Sequence, residues 1–528
     1  MNTDLLIVGA GFAGVYMLHR ARQFGFSARL IEAGADVGGT WYWNRYPGAR
    51  CDVESLEYSY QFDGALQQEW RWSERYATQP EILRYLQHVA ERFDLRRDML
   101  FNTRVVGASL IEVTNRWSVV TDAGVSHHAR FLVMATGCLS SANLPSIKDR
   151  DTFAGASYHT GQWPHEPVDF SGQRVALIGT GSSAIQSIPV IARQARELWV
   201  FQRTASYSVP ARNAELDPDY EAQVKSDYAG FRARNAAMLA AFGARYGRNE
   251  ASALSVGKDA LEETFERRWA IGGLGFMGAF SDLMLEPRAN QLAADFVRRK
   301  IGAVVEDPAT AQLLAPRQRI GCKRLCVDSG YYETFNLPHV HLVDIGASGI
   351  EEISATGLRA SGRQYEVDAL VFATGFDAMT GSLLKIDIRG RAGLRLRDKW
   401  HAGPWTYLGL GISGFPNLFT VSGPGSPSVL TNMVVSIEQH VRWISGCLAW
   451  MREQGYQRVE ATAESERAWV EHVNAVANST LYPGCNSWYL GANVPGKTRV
   501  FMPLLGYPPY VAKCEEVVAN GYQGFAFA

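Results

Sequence analysis

The sequence predicts an α/β fold with two Rossmann-like dinucleotide-binding domains, and three observations carry that reading. Gly9-Ala10-Gly11-Phe12-Ala13-Gly14 follows the apolar run Leu5-Leu6-Ile7-Val8. Gly179-Thr180-Gly181-Ser182-Ser183-Ala184 follows Val175-Ala176-Leu177-Ile178. Each reads as strand, tight turn and helix, with glycines that let the backbone approach a pyrophosphate lying on the helix N-terminus. A third signal is duplicated as well. Phe131-Leu132-Val133-Met134-Ala135-Thr136-Gly137 and Ala369-Leu370-Val371-Phe372-Ala373-Thr374-Gly375 each read as a buried strand entering a turn of small residues. Such residues let a returning chain pass close to a bound nucleotide.

The strand after each fingerprint ends differently. Ala28-Arg29-Leu30-Ile31 ends in Glu32, an acid suited to free ribose hydroxyls, as in FAD or NAD. Leu198-Trp199-Val200-Phe201 ends in Gln202-Arg203-Thr204, where an arginine suits the 2′-phosphate of NADP. Residues 1–139 are read as the first part of one nucleotide domain and 140–213 as the first part of the other. Residues 214–319, rich in Ala, Glu and Arg, are read as a helical insertion in the second domain. Asp217-Pro218 and Asp307-Pro308 there read as an N-cap followed by proline at the first helical position. Residues 320–375 resume the second domain. Residues 376–528, with a helix near 434–451 and no nucleotide fingerprint of their own, complete the first.

Bulk properties exclude several classes. With 52 basic and 53 acidic residues the net charge is −1, so the basic excess of a nucleic-acid binder is absent. No apolar run reaches the roughly 18 residues of a membrane span, and the N-terminus enters a strand directly, without a signal peptide. Seven scattered cysteines without a CxxC argue against a disulfide scaffold or a zinc ribbon. The expectation is a reduced, cytoplasmic enzyme with no metal, a monomer or weak homodimer, with neither nucleic-acid nor membrane partners.

The run Gly38-Gly39-Thr40-Trp41-Tyr42-Trp43-Asn44-Arg45-Tyr46-Pro47-Gly48-Ala49-Arg50-Cys51-Asp52 sets large aromatics just after a Gly-Gly turn, where they could wall a flavin. Between the two fingerprints lies Phe153-x-Gly155-x-x-x-His159-x-x-x-Trp163-Pro164. It resembles the FxGxxxHxxxW(P/D) fingerprint of Baeyer–Villiger monooxygenases. Val200 to Thr204, Cys322-Lys323-Arg324 before Gly330-Tyr331-Tyr332-Glu333, and Ser487-Trp488-Tyr489-x-Gly491-Ala492-Asn493-Val494-Pro495-Gly496-Lys497 resemble the same family, so the likeness spans nearly the whole chain. Gly423 to Ser428, Asn432-Met433 and Ser436 to His440 are closer to its phenylacetone-oxidising branch than to its cyclohexanone-oxidising one. Leu504-Leu505-Gly506-Tyr507-Pro508-Pro509-Tyr510 departs from the family, which often has Gly-Gly there.

The resemblance implies FAD in the first domain and NADP(H) in the second. NADPH would reduce the flavin, O2 would form a C4a-peroxyflavin, and that species would attack a ketone to give an ester or lactone, with sulfoxidation as a side activity. For FAD the implied contacts are Gly9, Gly11, Phe12, Ala13, Gly14, Glu32, Gly39, Thr40, Trp41, Trp43, Asp52, Tyr58, Val105 and Met433. For NADP they are Gly179, Thr180, Gly181, Ser182, Ser183, Arg203, Thr204, Lys323, Arg324 and Trp488, with Trp488 closing over the nicotinamide nucleotide. Arg324 matches the family's catalytic arginine and Asp52 the acid that positions it. A fixed guanidinium suits an anionic oxidant because it stays protonated and offers several donors. Adjacent residues on an extended segment point oppositely, so Lys323 could reach the NADP phosphate while Arg324 faces the flavin. His159 and Trp163 carry a conformational role near the hinge, and the linkers 139–150 and 374–380 are the candidate hinges. The ketone pocket would be apolar, lined by Ser426–Leu430 and Leu504–Tyr507. The nearest rival is an N- or S-oxygenating flavin monooxygenase, whose fingerprint lacks the Trp163-Pro164 ending. A disulfide reductase would need a cysteine pair at the flavin, and a mere NADP(H) sensor would not need both Asp52 and Arg324.

Overall fold

In the computed structural model, which describes residues 2–492, 494–496 and 506–528, both fingerprints lie where a strand meets a helix. Asn2–Val8 leads into the helix Phe12–Gln23, and Arg174–Ile178 into the helix Ser182–Ala192. The first strand centres a sheet ordered 387–389, 105–111, 116–121, 126–134, 2–8, 28–31 and 99–100. Strand 418–420 adds to 126–134 on the side away from 2–8, beyond the segment that pairs with 116–121. The second sheet is parallel throughout, in the order 340–344, 197–202, 174–178, 369–372 and 156–159. Parallel strands buried on both faces require the unbroken apolar runs noted above. Leu5, Ile7, Leu177, Leu370 and Val371 are all fully buried.

Both return strands press on their fingerprints. Gly9 has φ +105°, and a Cβ there would lie 2.5 Å from the Ala135 carbonyl oxygen. Gly179 has φ +119°, and a Cβ there would strike the Ala373 carbonyl oxygen. The same device is thus built twice: a left-handed glycine fitted against a small-residue return strand. Gly181, at an ordinary φ, faces open space.

The C-terminal part returns to the first unit. Strands 387–389 and 418–420 join its sheet, and the helix Met433–Gln454 packs on Phe12–Gln23, burying Ile444, Cys447 and Leu448. Asp217 and Asp307 cap the helices Pro218–Ser226 and Pro308–Leu314, each accepting backbone N–H bonds. The helical stretch is shared between the two cores. Val224, Tyr228 and Phe231 join the first core, whereas Phe265, Phe276 and Phe296 join the second. Pro508 and Pro509 sit in the first turn of the helix Tyr507–Ala519, where missing N–H groups cost nothing. Leu504 and Leu505, expected to line the pocket, and Asn493 and Lys497 of the family segment lie outside the described residues.

The glycine geometry makes a paired prediction. Gly179→Ala loses about 2 kcal/mol of stability through strain and backbone collision, whereas Gly181→Ala leaves the denaturation midpoint unchanged. Chemical denaturation of the two variants checks this, and equal losses would refute the distinction.

Candidate functional site

Asp52 ends the aromatic-rich segment, and that segment is wedged against the second unit. Near its start, Thr40–Trp43 form a short helix. Further along, the Tyr46 hydroxyl donates to Gln186 Oε1 at 2.9 Å, and Gln186 Nε2 donates to the Arg50 carbonyl at 3.1 Å. Gly48 packs so closely on the Gln186 backbone that no side chain fits there. Gln186 belongs to the helix that follows the second fingerprint, so this contact fixes Asp52 at the junction of the units.

Across the junction Arg324 meets Asp52 in a two-pronged pair, Nε to Oδ2 at 2.5 Å and Nη2 to Oδ1 at 2.9 Å. Its remaining nitrogen, Nη1, donates to the Val429 carbonyl at 2.6 Å. Burial works against the guanidinium charge, but Asp52 more than offsets it and holds Arg324 above the ordinary arginine range. The cation is therefore permanent and its plane is fixed. Tyr489 packs beside it, with the hydroxyl turned toward the guanidinium.

Around the first fingerprint, Gly11 and Gly39 face each other backbone to backbone, so any side chain on Gly39 would collide with Gly11. The helix from Phe12 has no side-chain cap, leaving its first N–H groups open to an anion. Glu32 is buried and accepts from the Ala10 and Gly34 amides, each at 2.7 Å, and burial raises its carboxyl above the usual range. Phe12 meets Tyr58 edge-on at 5.4 Å, and Trp41 Nε1 donates to the Tyr58 hydroxyl at 3.2 Å. Trp43 is half-buried and Thr40 exposed on the same short helix. Val105 shares an apolar cluster with Val8 and Ile31, and Met433 starts the long C-terminal helix. Gly9, Gly14 and Ala13 form the tight turn and the packed face behind it. A side-chain-free backbone cradle, an uncapped helix end and a buried acid fit a dinucleotide with free ribose hydroxyls.

The second cradle has the same shape and the opposite charge. Its helix is also uncapped, Thr180 donates to the Thr204 carbonyl at 2.9 Å, and Ser183 bonds Thr160 at 3.0 Å. Ser182 Oγ lies 3.3 Å from Cys326 Sγ. Arg203 is exposed, and Lys323 approaches it; among the described residues neither forms an ion pair. Burial and the charge of Arg203 depress the Lys323 ammonium. Two like charges held together without a carboxylate fit a bound dianion, which relieves their repulsion. Trp488 is half-buried, packs on Tyr489 at 4.3 Å and borders Cys138, Met379 and Val429.

His159 and Trp163 lie apart from this charge cluster. His159 Nδ1 accepts from the Gly161 amide at 3.0 Å, and its Nε2 is 3.3 Å from Thr374 Oγ1, which donates to the Asn143 carbonyl at 2.6 Å. It thus sits where the two linkers meet. There Asn143 donates to the Gly375 carbonyl, Asp377 to that of Ser141, and Met379 to that of Cys138. Trp163 stacks on Tyr158 at 5.1 Å inside the second core.

Sequence reasoning missed several participants. Val429 acts through its carbonyl, which no side-chain pattern reveals. Gln186 and Arg75 also escaped notice. Arg75 donates to Glu54, the Tyr246 hydroxyl and the carbonyls of Ala211 and Ile271, tying the first unit to the helical stretch. The expectation of a fully reduced chain is corrected: Cys322 and Cys485 form a disulfide, with Cα atoms 5.4 Å apart. Cysteines 163 residues apart are brought together by tertiary structure alone, which a search for short spacings cannot find.

Residues 6–258 match the family described as pyridine nucleotide-disulphide oxidoreductase. A Baeyer-Villiger monooxygenase of Pseudooceanicola batsensis is 43% identical over 98% of this chain and 95% of its own. Phenazine N-monooxygenase PhzNO1 of Lysobacter antibioticus is 40% identical, covering 99% of this chain and 96% of its own. Among solved structures, oxidized steroid monooxygenase bound to NADP superposes with a TM-score of 0.95 at 50% identity, covering 100% of this chain and 99% of that one. A further solved neighbour holds FAD and NADP together.

Burial lowers the His159 pKa from 6.5 to about 4. Between those values only the unfolded chain takes up the proton, so acidification destabilises the fold across that window and has no such effect above it. Unfolding free energies measured from about pH 7 to about pH 4.5 fall with decreasing pH; His159 contributes one share of that slope beside His19 and His440, whose pKa values burial also lowers, and His159→Gln reduces the slope by that share. An unchanged slope in the variant would remove His159 from this effect.

Proposed function

The chain belongs to the Baeyer–Villiger monooxygenase family, flavoprotein enzymes that use NADPH and O2 to insert oxygen beside a ketone carbonyl, and on that premise we propose how its own residues serve the reaction. The observation that carries the proposal is the two-pronged Asp52–Arg324 pair at the junction of the units. The cradle of Gly9, Gly11, Gly39 and Glu32 would hold FAD, which when bound would supply the activation of O2 with NADPH as the reductant. Arg324 provides a fixed positive charge for the negative oxygen that develops during attack on the ketone. Preorganised donors of this kind act most strongly where water is excluded, because they need no reorientation as charge develops. Asp52 keeps the guanidinium plane in place without discharging it. The Val429 carbonyl links that cation to the segment Ser426–Leu430.

Arg203, Lys323 and Thr204 hold the 2′-phosphate of NADP, and Trp488 closes over the nicotinamide end. Val429 and Leu430, packed with Met379 and Trp488, give the site an apolar wall suited to a neutral ketone. Ketones are the substrate class, with sulfides as secondary ones. His159 does not act as the base. Its nitrogens are engaged at the linkers, and it serves the relative placement of the units. The enzyme works in the cytoplasm as a monomer or weak homodimer without nucleic-acid or membrane partners. The near-zero net charge is in keeping with the lack of a nucleic-acid partner. A second reading, N-oxygenation, is favoured by the likeness to the phenazine N-monooxygenase.

Product analysis separates the two readings. Incubation with NADPH, O2 and panels of ketones and aromatic amines yields esters from ketones; N-oxides with every ketone returned unchanged would favour the second reading. Arg324→Ala lowers ester formation by at least about 100-fold while flavin reduction by NADPH, followed by stopped-flow absorbance, persists. Normal ester yield in that variant would remove Arg324 from its role. Arg203→Ala weakens NADP+ binding by about tenfold, the loss of one charge-assisted phosphate contact, with little effect on NAD+. Equal weakening of both nucleotides would place the phosphate elsewhere.

A further inference from the structure

The disulfide joins two segments that the proposed function needs together. Cys322 immediately precedes Lys323 and Arg324, and Cys485 lies three residues before Trp488. Segment 481–490 leaves the first unit after the helix Ala463–Asn478, whose Trp469 is buried in the first core. The segment then crosses to the second unit. The Leu481 amide donates to the Met284 carbonyl at 3.0 Å, and Gly484 packs against the Arg319 guanidinium. Cys322, Cys485 and Leu490 form a small buried cluster, with Tyr482 against it. The segment then turns back, placing Trp488 and Tyr489 against Cys138, Ala378, Met379 and Val429 near the linkers. A covalent bond therefore spans the two units directly beside the phosphate-binding cations.

We infer that Cys322 and Cys485 are a dithiol–disulfide modification site, exchanging with low-molecular-weight thiols and disulfides, whose oxidised form holds segment 481–490 closed over the nicotinamide nucleotide. In oxidation one cysteine thiolate attacks a small disulfide, releasing one small thiol and leaving a mixed disulfide. The second cysteine displaces the other small thiol, and the protein bridge forms. Two protein thiols are oxidised and one small disulfide is reduced to two thiols; a small thiol or dithiol runs the exchange backwards. Cys322 is 3% and Cys485 8% exposed, so exchange requires the segment to lift. A bridge that forms in the closed arrangement and opens through the open one is coupled to any ligand that prefers closure. A cytosolic disulfide is characteristically transient and redox-responsive rather than structural, in keeping with this placement. The remaining five cysteines form no disulfide, so Cys322 and Cys485 are the bridged pair among the described residues.

The test uses the FAD-loaded full chain, equilibrated with oxidised or reduced glutathione. Thiol titration after denaturation gives five free thiols in the oxidised form and seven in the reduced form, against the seven cysteines of the sequence. Peptide mapping locates the bridge at Cys322–Cys485. Reduction weakens NADP+ binding by roughly tenfold, as the closed arrangement becomes a minor one, and speeds hydrogen exchange in segment 481–490. By reciprocity, saturating NADP+ slows reduction of the bridge. Cys485→Ser behaves as the reduced form whether or not reductant is present; if it folds poorly, the chemically reduced wild type supplies the same comparison. Seven free thiols after equilibration with oxidised glutathione, a bridge mapped to another pair, or equal NADP+ affinity and hydrogen exchange in both forms would overturn the proposal. None of these readouts depends on which substrate the enzyme oxygenates.

Discussion

The Asp52–Arg324 pair is the interaction on which the rest of the architecture turns. Asp52 belongs to the first nucleotide unit and Arg324 to the second, so a charged contact that must be geometrically exact is made across a boundary between two bodies. A part-buried guanidinium carries a large desolvation cost unless a carboxylate meets it squarely. That demand explains much of the neighbouring construction. The segment carrying Asp52 is held against the second unit by Gln186, and the segment carrying Arg324 is held by the Val429 carbonyl. The two units need a common surface stiff enough to keep two planar groups in register.

Much of the fold could be read from the chain alone, because its signals are local. A glycine fingerprint needs only its own strand and helix, and Gly9 and Gly179 occupy left-handed conformations that few other residues accept. The proline-capped helices at Asp217 and Asp307 are equally local. The residues at the charge junction, Asp52 and Arg324, were also legible, but through the family motifs rather than through spacing; nothing within either segment says that they meet.

What escaped the sequence depends on tertiary approach. The Cys322–Cys485 bridge closes a span of 163 residues, and the cysteines show no pattern that separates them from the five unpaired ones. Arg75 looks like an ordinary surface arginine in the sequence, yet its guanidinium gathers partners from residues 54, 211, 246 and 271. The helical stretch was assigned to one unit by chain order, but burial divides it between two. Apolar periodicity reports that a helix has a buried face and is silent on which core receives it.

The two linkers run side by side through paired backbone bonds at 138–143 and 375–379, so both covalent crossings there act as one attachment point. A second lies where residues 73–75 bond to 214–216. The units also meet through Gln186 and through the Asp52–Arg324 pair, contacts that can part and re-form. The Cys322–Cys485 bond differs from them in kind, because it is covalent and only thiol chemistry releases it. In mechanical terms it is a removable pin in a joint that, away from the linkers, is otherwise noncovalent.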